Sequence, residues 1–469
     1  MGMLKDYLHL MRIEWMVTIL IFLLLFLQLG KLRRNSLLLT FVYIALVLTT
    51  ILGFAGNSEG RLFAGMFVTT QLIAFQKTVL IFGTLLLLML NHDWLLKHSL
   101  LPEFLVLLLS ALLGMLFMVS SGNLLLFYIG LELSTIPVAA LANFDLERKK
   151  SSEAAMKMIL SSAFSSGILL FGISLFYGAV GSLSFGELSA QIIVSSPLQI
   201  LALIFFVAGL GFKLSVVPYH LWTADVYEGS PIAVSSFLSV ISKASVAFIT
   251  ITFLYKVFQN LGPVIYPMLM VLILLTLLVG NLFALRQESI RRFLAFSSIA
   301  QVGFILVGIS AGSMAGSVAV NYFIVVYLFS NLAAFGILSL VETASGKEGF
   351  AAFKGLYTQN KFLSWAMAIA LFSLAGIPPT AGFFGKLFLI MAGAGKSGVS
   401  ILFIVIVALN MVISLYYYLK LVRAIFNTEQ VQVKVPVSSV SKFALGLCVV
   451  AMLLLGLIGN FYEYLKLLH

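Results

Sequence analysis

Apolar runs of about twenty residues recur along the whole chain, separated by short polar breaks. An α-helix rises 1.5 Å per residue, so a run of roughly 20 crosses the ~30 Å hydrocarbon core of a bilayer. Fourteen runs are expected to do so: 14–30, 36–53, 70–90, 102–120, 122–143, 153–179, 197–221, 232–256, 262–284, 293–311, 316–341, 362–391, 399–424 and 441–463. The first is the weakest, because its amphipathic start, KDYLHLMRIEW, also suits a helix lying on a membrane surface. The pattern predicts an all-α, polytopic membrane protein of about 14 transmembrane helices. No polar stretch is long enough for a soluble domain, so residues 1–469 are read as one integral membrane domain.

Two runs are interrupted. The seventh carries Pro218 in KLSVVPYHLW, and the twelfth carries Pro378 and Pro379 in GIPPTAGFFG. Proline removes a backbone donor and clashes with the preceding turn, so both helices should break or kink. The carbonyls set free need partners, which places such breaks against protein or a wet cavity. A simple kink would explain either break alone. Two breaks in separate halves, each near an intramembrane lysine, favour a transporter built from inverted repeats. The spacing fits two inverted five-helix repeats with broken helices 7 and 12: repeat one at about 102–256 and repeat two at about 262–425, in a core of about 102–425.

Composition agrees, with 61% hydrophobic and 10% charged residues against about half and a quarter in soluble domains. The net charge of +11 does not point to nucleic acid, because the basic residues lie mostly in short loops. With the N-terminus outside, loops joining odd to even runs hold 17 of the 28 lysines and arginines, including Lys31, Arg33, Arg34, Arg286, Lys347 and Lys434. Counted together with the adjoining run ends, the other loops and ends hold six, among them Lys5 and Lys396, and the remaining five lie deeper within runs. The positive-inside rule then puts both termini on the periplasmic side of a bacterial inner (plasma) membrane. The first run ends in KLRR, not in a small-residue cleavage site, so no cleaved signal peptide is expected.

Candidate chemistry lies in the charges that the apolar runs enclose. Glu132, Lys157, Lys213, Lys243 and Lys386 are each flanked by apolar sequence. A charge at the bilayer centre costs about 3 kcal/mol on insertion scales, and its default reading is an ion or proton path. Lys243 lies some 16 Å into its run, too deep to reach an interface. Lys157 is about one turn into its helix, where an interfacial position is the alternative. Lys77, early in its run beside Gln71 and Gln76, is read as interfacial and outside the path. His220 follows the break at Pro218 and suits a water bridge between lysines, or a satisfied buried histidine. DVYEGSP (225–231) is read as a loop whose Asp225 and Glu228 are solvated, dock a neighbour or cap the next helix.

One acid among four lysines suits protons better than a metal cation, and a lysine relay responds to moving neighbours because desolvation and nearby charge shift its proton affinity in opposite directions. Glu132 paired statically with a lysine is the bland alternative. His92 and His98 read as a wet loop, no metal site is expected, and the single Cys448 allows no internal disulfide. No phosphate-binding loop, dinucleotide fingerprint or iron–sulfur pattern appears. The chain has parts to move protons and none to power the movement.

GLELSTIPVAAL (130–141), FKLSVVPYHLWTADVYEGSPIAVSSFLSVISKASVAF (212–248) and LFSLAGIPPTAGFFGKLFLI (371–390) resemble the antiporter-like subunits of NADH-quinone oxidoreductase, respiratory complex I, over about residues 100–425. The resemblance implies a proton-translocating membrane-arm subunit of a translocase, coupled to NADH–quinone electron transfer elsewhere in the complex. It implies a relay of Glu132, Lys213, Lys243 and Lys386, with Lys157 and His220 as further members. No cofactor is expected in this chain; FMN, iron–sulfur clusters and quinone would lie in partner subunits. The expected partners are other membrane-arm subunits, lipid and protons. The same family includes subunits of cation/proton antiporters and membrane-bound hydrogenases, which is the alternative function.

Overall fold

The computed structural model describes residues 2–30, 34–55, 59–346, 349–395, 400–427 and 435–469. The basic residues Lys31, Arg33, Lys347, Lys396 and Lys434 lie outside the described residues, as does the side chain of Lys5.

Thirteen helices among the described residues are long and apolar enough to cross a membrane. The first six spans are Arg12–Leu29, Asn35–Phe54, Gln71–Leu90, Leu101–Val119, Leu124–Ala142 and Lys149–Val180. The seventh is Pro197–Leu214, continued after a break by the short helix Leu221–Gly229. The eighth to eleventh are Ile232–Val257, Gln259–Leu285, Ile290–Ser310 and Met314–Ser345. Two shorter helices, Lys361–Ala375 and Ala381–Ala394, take the place of the single run expected at 362–391. Ile401–Ile425 and Ser439–Leu457 complete the bundle.

The first run forms a helix long and apolar enough to cross. Only Gly2–Leu10 forms a separate short helix, whereas Arg12–Leu29 buries Ile13, Val17, Leu20 and Leu24. The apolar stretches of the tenth and eleventh spans are buried throughout, so these two helices form the axis of the bundle. The outer spans leave leucine and phenylalanine exposed, as lipid-facing helices do.

Connections sort to two ends. At one end the hairpin Gly60–Leu62/Phe67–Thr69 pairs onward to Ser121, and Asn260 Nδ2 reaches the carbonyls of Ser189 and Ile192. The Ser317 hydroxyl meets His469 Nε2 at 2.6 Å there. At the other end Asn35 Nδ2 donates to the carbonyls of Leu96 and His98, and the Ser438 N–H donates to Asp93. This second end carries the basic loops between odd and even spans.

Both proline breaks are real interruptions. The first helix of span seven stops at Leu214, before the proline, because Ser215 takes the left-handed conformation at φ 65°. The first helix of span twelve stops at Ala375, where Gly376 at φ +85° supplies the turn that other residues resist. Pro218 and Pro379 both follow cis peptide bonds. The segment 225–231 is not a loop: residues up to Gly229 finish the helix Leu221–Gly229, which the apolar pattern hides because Asp225 and Glu228 interrupt it.

Candidate functional site

The fifth span brings Glu132 to the seventh. The fifth span also packs tightly on the fourth at Gly130, where an added Cβ would lie 2.6 Å from the Met118 backbone nitrogen. One oxygen of Glu132 is buried without a hydrogen-bond partner. Lys213 does not pair with it directly. Its Nζ donates to Thr135 Oγ1 at 2.5 Å, and Thr135 stands three residues beyond Glu132 on the same helical face. A cavity of about 20 Å³ lies there, lined by Ser134, Thr135, Ser162, Lys213 and Ser242. That space holds about one water molecule, and these polar groups on an otherwise apolar wall offer it partners. Ser242 immediately precedes Lys243, so the cavity joins the seventh span to the eighth.

Lys243 follows a π-helical turn at Leu238–Ser242, a local widening of the kind that often marks functional positions. The lysine is 1% exposed. Its Nζ donates to Ser298 Oγ at 2.8 Å and stands 5.7 Å from the ring centre of Tyr227. Among the described residues no carboxylate touches it: a hydroxyl and an aromatic face are its partners. One turn earlier, Ser239 contacts both Tyr327 and Asn331 of the eleventh span. A buried polar cluster therefore surrounds Lys243 on the side of the eleventh span.

Lys386 is fully buried after the second break. Its Nζ donates to the Leu374 carbonyl at 2.6 Å and to the Ala375 carbonyl at 3.3 Å. These are C-terminal carbonyls of Lys361–Ala375, which lack helical partners and carry the negative end of the helix dipole. The break thus builds a cation site for its own lysine. Phe304 closes it, with its ring centre 4.6 Å from Nζ.

Two sets of polar contacts lie between the two lysines, one ending at Ser298 and one starting at Ser297. Ser298, the partner of Lys243, is preceded by Ser297, whose hydroxyl bonds to that of Tyr418. Gln301 Nε2 donates to the Tyr418 hydroxyl and to the Leu374 carbonyl, both at 3.0 Å. Leu374 O is the acceptor of Lys386. Ser297, Ser298, Gln301 and Tyr418 are not among the residues that the sequence singles out. For the three on the tenth span the one visible signal is the polar cluster SSIAQ, whereas Tyr418 lies on the thirteenth span with no such signal.

The remaining expected residues fall elsewhere. Lys157 is 42% exposed and pairs with Asp225 at 2.7 Å and Glu153 at 2.6 Å. Arg292 also bonds Asp225 at 2.7 Å and Glu228 at 3.0 Å, so these acids tie the sixth, seventh and tenth spans together. These partly exposed pairs engage both acids of the Leu221–Gly229 helix, so Asp225 and Glu228 are not simply solvated. His220 lies in the first break, half-buried, with Nδ1 lacking a protein partner.

Lys77 is a correction. It does not extend to open solvent as an interfacial lysine would: it is 1% exposed and pairs with Glu14, also 1% exposed, at 2.9 Å. The first span packs over it and supplies a buried acid, so Lys77 need not reach the membrane surface. Among the described residues no group of three or more His, Cys, Asp or Glu side chains is placed to hold a metal ion.

Residues 121–414 match the family described as NADH:quinone oxidoreductase/Mrp antiporter, TM. The NADH-quinone oxidoreductase subunit N of Azobacteroides pseudotrichonymphae genomovar. CFP2 is 44% identical over 414 residues, covering 87% of this chain and 86% of that protein. The subunit N of Phocaeicola vulgatus is 45% identical, covering 87% of each. A chain of respiratory complex I from Thermus thermophilus with bound aureothin superposes with a TM-score of 0.81 at 29% identity, covering 96% of this chain and 97% of that one.

Proposed function

This chain belongs to the NADH:quinone oxidoreductase/Mrp antiporter transmembrane family, and on that premise we propose that it is an N-type, proton-translocating subunit of NADH-quinone oxidoreductase that moves H⁺ along a line from Lys213 through Lys243 to Lys386. The observation that carries the reading is the set of contacts from Lys243 to Ser298, and from Ser297 through Tyr418 and Gln301 to the Leu374 carbonyl that holds Lys386.

Protons move between lysine stations when the affinity of one station changes relative to the next. Each pKa unit corresponds to about 1.4 kcal/mol, so a small displacement of a neighbouring charge suffices. Glu132 is the displaceable charge for Lys213: it stands one turn from Thr135, which holds the lysine nitrogen. The water-sized cavity between Lys213 and Ser242 carries the proton across to Lys243. Hydroxyls of Ser298, Ser297 and Tyr418 accept and donate in turn, with water completing the line. Gln301 positions the Tyr418 hydroxyl and the Leu374 carbonyl.

Electron transfer takes place outside this chain, in partner subunits that carry FMN, iron–sulfur clusters and quinone. The chain sits among other membrane-arm subunits in a bacterial inner membrane, with its basic loops cytoplasmic and both termini periplasmic. The two broken spans are the fourth helices of two inverted repeats, at about 102–256 and 262–425. The second reading, exchange of a metal cation for H⁺, is disfavoured because hydroxyls and two backbone carbonyls, with no carboxylate, surround Lys243 and Lys386.

The test is Lys243→Ala in the assembled complex in sealed vesicles. Normal assembly with redox-driven proton uptake lost supports the relay. Wild-type uptake in an assembled Lys243→Ala complex overturns it. Sodium-dependent uptake in the wild type would favour the exchange reading instead.

A further inference from the structure

Two adjoining cavities open at the end that carries the basic loops. The first, about 250 Å³, is lined by Trp94, Asp145, Arg148, Arg291, Ser339 and Glu342. The second, about 350 Å³, shares Trp94, Ser339 and Thr343 with it. Each has room for several water molecules, which take about 30 Å³ apiece in the liquid.

Glu342, near the end of the eleventh span, is the buried acid of this vestibule. Its Oε2 accepts from Arg291 Nη2 at 2.6 Å and Nε at 3.0 Å, whereas Oε1 has no protein partner. A buried carboxylate oxygen left unpaired is costly unless water reaches it. The same guanidinium continues inward: Arg291 Nη1 donates to the carbonyls of Glu228 and Ser230. These flank the end of the helix that holds Tyr227 beneath Lys243. Eleven residues earlier on the eleventh span, on the same face and ~16 Å deeper, Asn331 contacts Ser239. Ser239 lies one turn before Lys243.

We propose that this vestibule is the proton intake for Lys243 and that Glu342 Oε1 is its accepting atom. The inference rests on the relay reading above. A proton arriving on cavity water forms the Oε1–H bond as its bond to that water breaks. The Oε1–H bond then breaks, the proton passes inward along water past Tyr227 and Ser239, and the Lys243 nitrogen takes it with its lone pair. Glu342 returns to carboxylate and Lys243 becomes ammonium. The charged groups facing Glu342 are Arg291, which holds it throughout, and Asp145 and Arg148 from the loop between the fifth and sixth spans.

The test uses the intact complex in sealed vesicles with the basic-loop side accessible. Glu342→Gln keeps an oxygen for Arg291 and removes the titratable site. We expect proton uptake to fall about tenfold or more, with a changed pH profile, and Glu342→Asp to restore part of it. In parallel, Ser339→Cys is labelled after assembly with a methanethiosulfonate reagent, and the unsubstituted complex is treated alike. Labelling that blocks uptake, with recovery on reduction, supports the intake. The proposal is overturned if Glu342→Gln assembles and pumps with the wild-type pH profile, or if the Ser339→Cys complex stays unlabelled or its label leaves uptake unchanged. The labelling result decides if Glu342→Gln does not assemble. Lys243→Ala separates the two readings: loss of uptake there beside a silent Glu342→Gln removes only the intake, whereas a silent Lys243→Ala removes the relay itself.

Discussion

The Nζ of Lys386 lies 2.6 Å from the carbonyl oxygen of Leu374, across the break in its own span. The break would otherwise leave that carbonyl to Gln301 alone, and Ala375 O would lose a donor too. One residue thus completes the backbone of the break and, in the proposed relay, is also a proton station. Lys386→Met keeps the length of the side chain and removes both donated bonds. We expect a loss of about 1–3 kcal/mol in stability, the cost of stranding buried polar groups, together with loss of pumping. Thermal unfolding and proton uptake on the same preparation check both; Lys386→Met with normal unfolding and uptake would show that the break needs no lysine.

Tyr418→Phe removes one hydroxyl and leaves the ring packed against Phe293 and Tyr417. Ser297 and Gln301 each lose a partner. The expected stability change is about 1 kcal/mol. Pumping should fall much more than assembly, and Ser297→Ala with Tyr418→Phe should be little worse than either alone, since one chain is cut in both cases. Full additivity of the two losses in initial uptake rate would argue against a shared line.

Lysines within apolar runs stand out in the sequence because nothing in lipid compensates them, and Lys213, Lys243 and Lys386 are legible for that reason. The groups that join them are not. Ser297, Gln301 and Tyr418 are ordinary residues in membrane helices, and they meet only when the tenth, twelfth and thirteenth spans pack. Lys77 misleads for a related reason: its acid, Glu14, is on another span, in the amphipathic start that looks like surface sequence. Pro218 marks the first break, but the helix ends earlier, at a left-handed Ser215 that no residue preference announces.

Lys157 reads in the sequence as a lesser member of the relay, yet its half-exposed pairs with Glu153 and Asp225 describe a charged edge. Exposed pairs contribute roughly 0–1 kcal/mol. Lys157→Ala is therefore expected to shift stability by under about 1 kcal/mol and to keep most of the proton uptake. Uptake as low as that of Lys243→Ala would return Lys157 to the relay.

His92 gives the basic-loop end a pH response. Its Nδ1 lies 3.0 Å from the Tyr43 hydroxyl, and burial lowers its pKa below the ordinary 6.5, with Asp93 opposing. Between the lowered value and 6.5 the unfolded chain binds more protons than the folded one, so the contribution is full above about pH 6.5 and declines as pH falls. Thermal stability of the wild type should drop more between pH 8 and 5.5 than that of His92→Gln. Equal drops would mean that the buried His92 contact does not set this response.

Glu14 and Lys77 form a buried ion pair that joins the first span to the third, away from the proton line. The pair has a spare carboxylate oxygen without a partner, while Ser120 and Thr69 lie at 3.5 Å from the paired atoms. Phe67 stands under the ammonium at 5.1 Å. Removing one partner strands the other charge, which costs about 3–5 kcal/mol in buried pairs, whereas replacing both by apolar groups of similar volume is often neutral. Glu14→Gln and Lys77→Met are each expected to lower thermal stability markedly, and Glu14→Leu with Lys77→Met to restore it to near wild type. Because Gln76 donates to Asn321 on the neighbouring eleventh span, a loosened third span would also disturb that buried contact. The measurement is unfolding of the four proteins in one detergent, beside their proton uptake in vesicles. Recovery of stability with normal uptake in the double variant identifies a structural clamp; recovery of stability with uptake still lost would place Glu14 and Lys77 on the proton path.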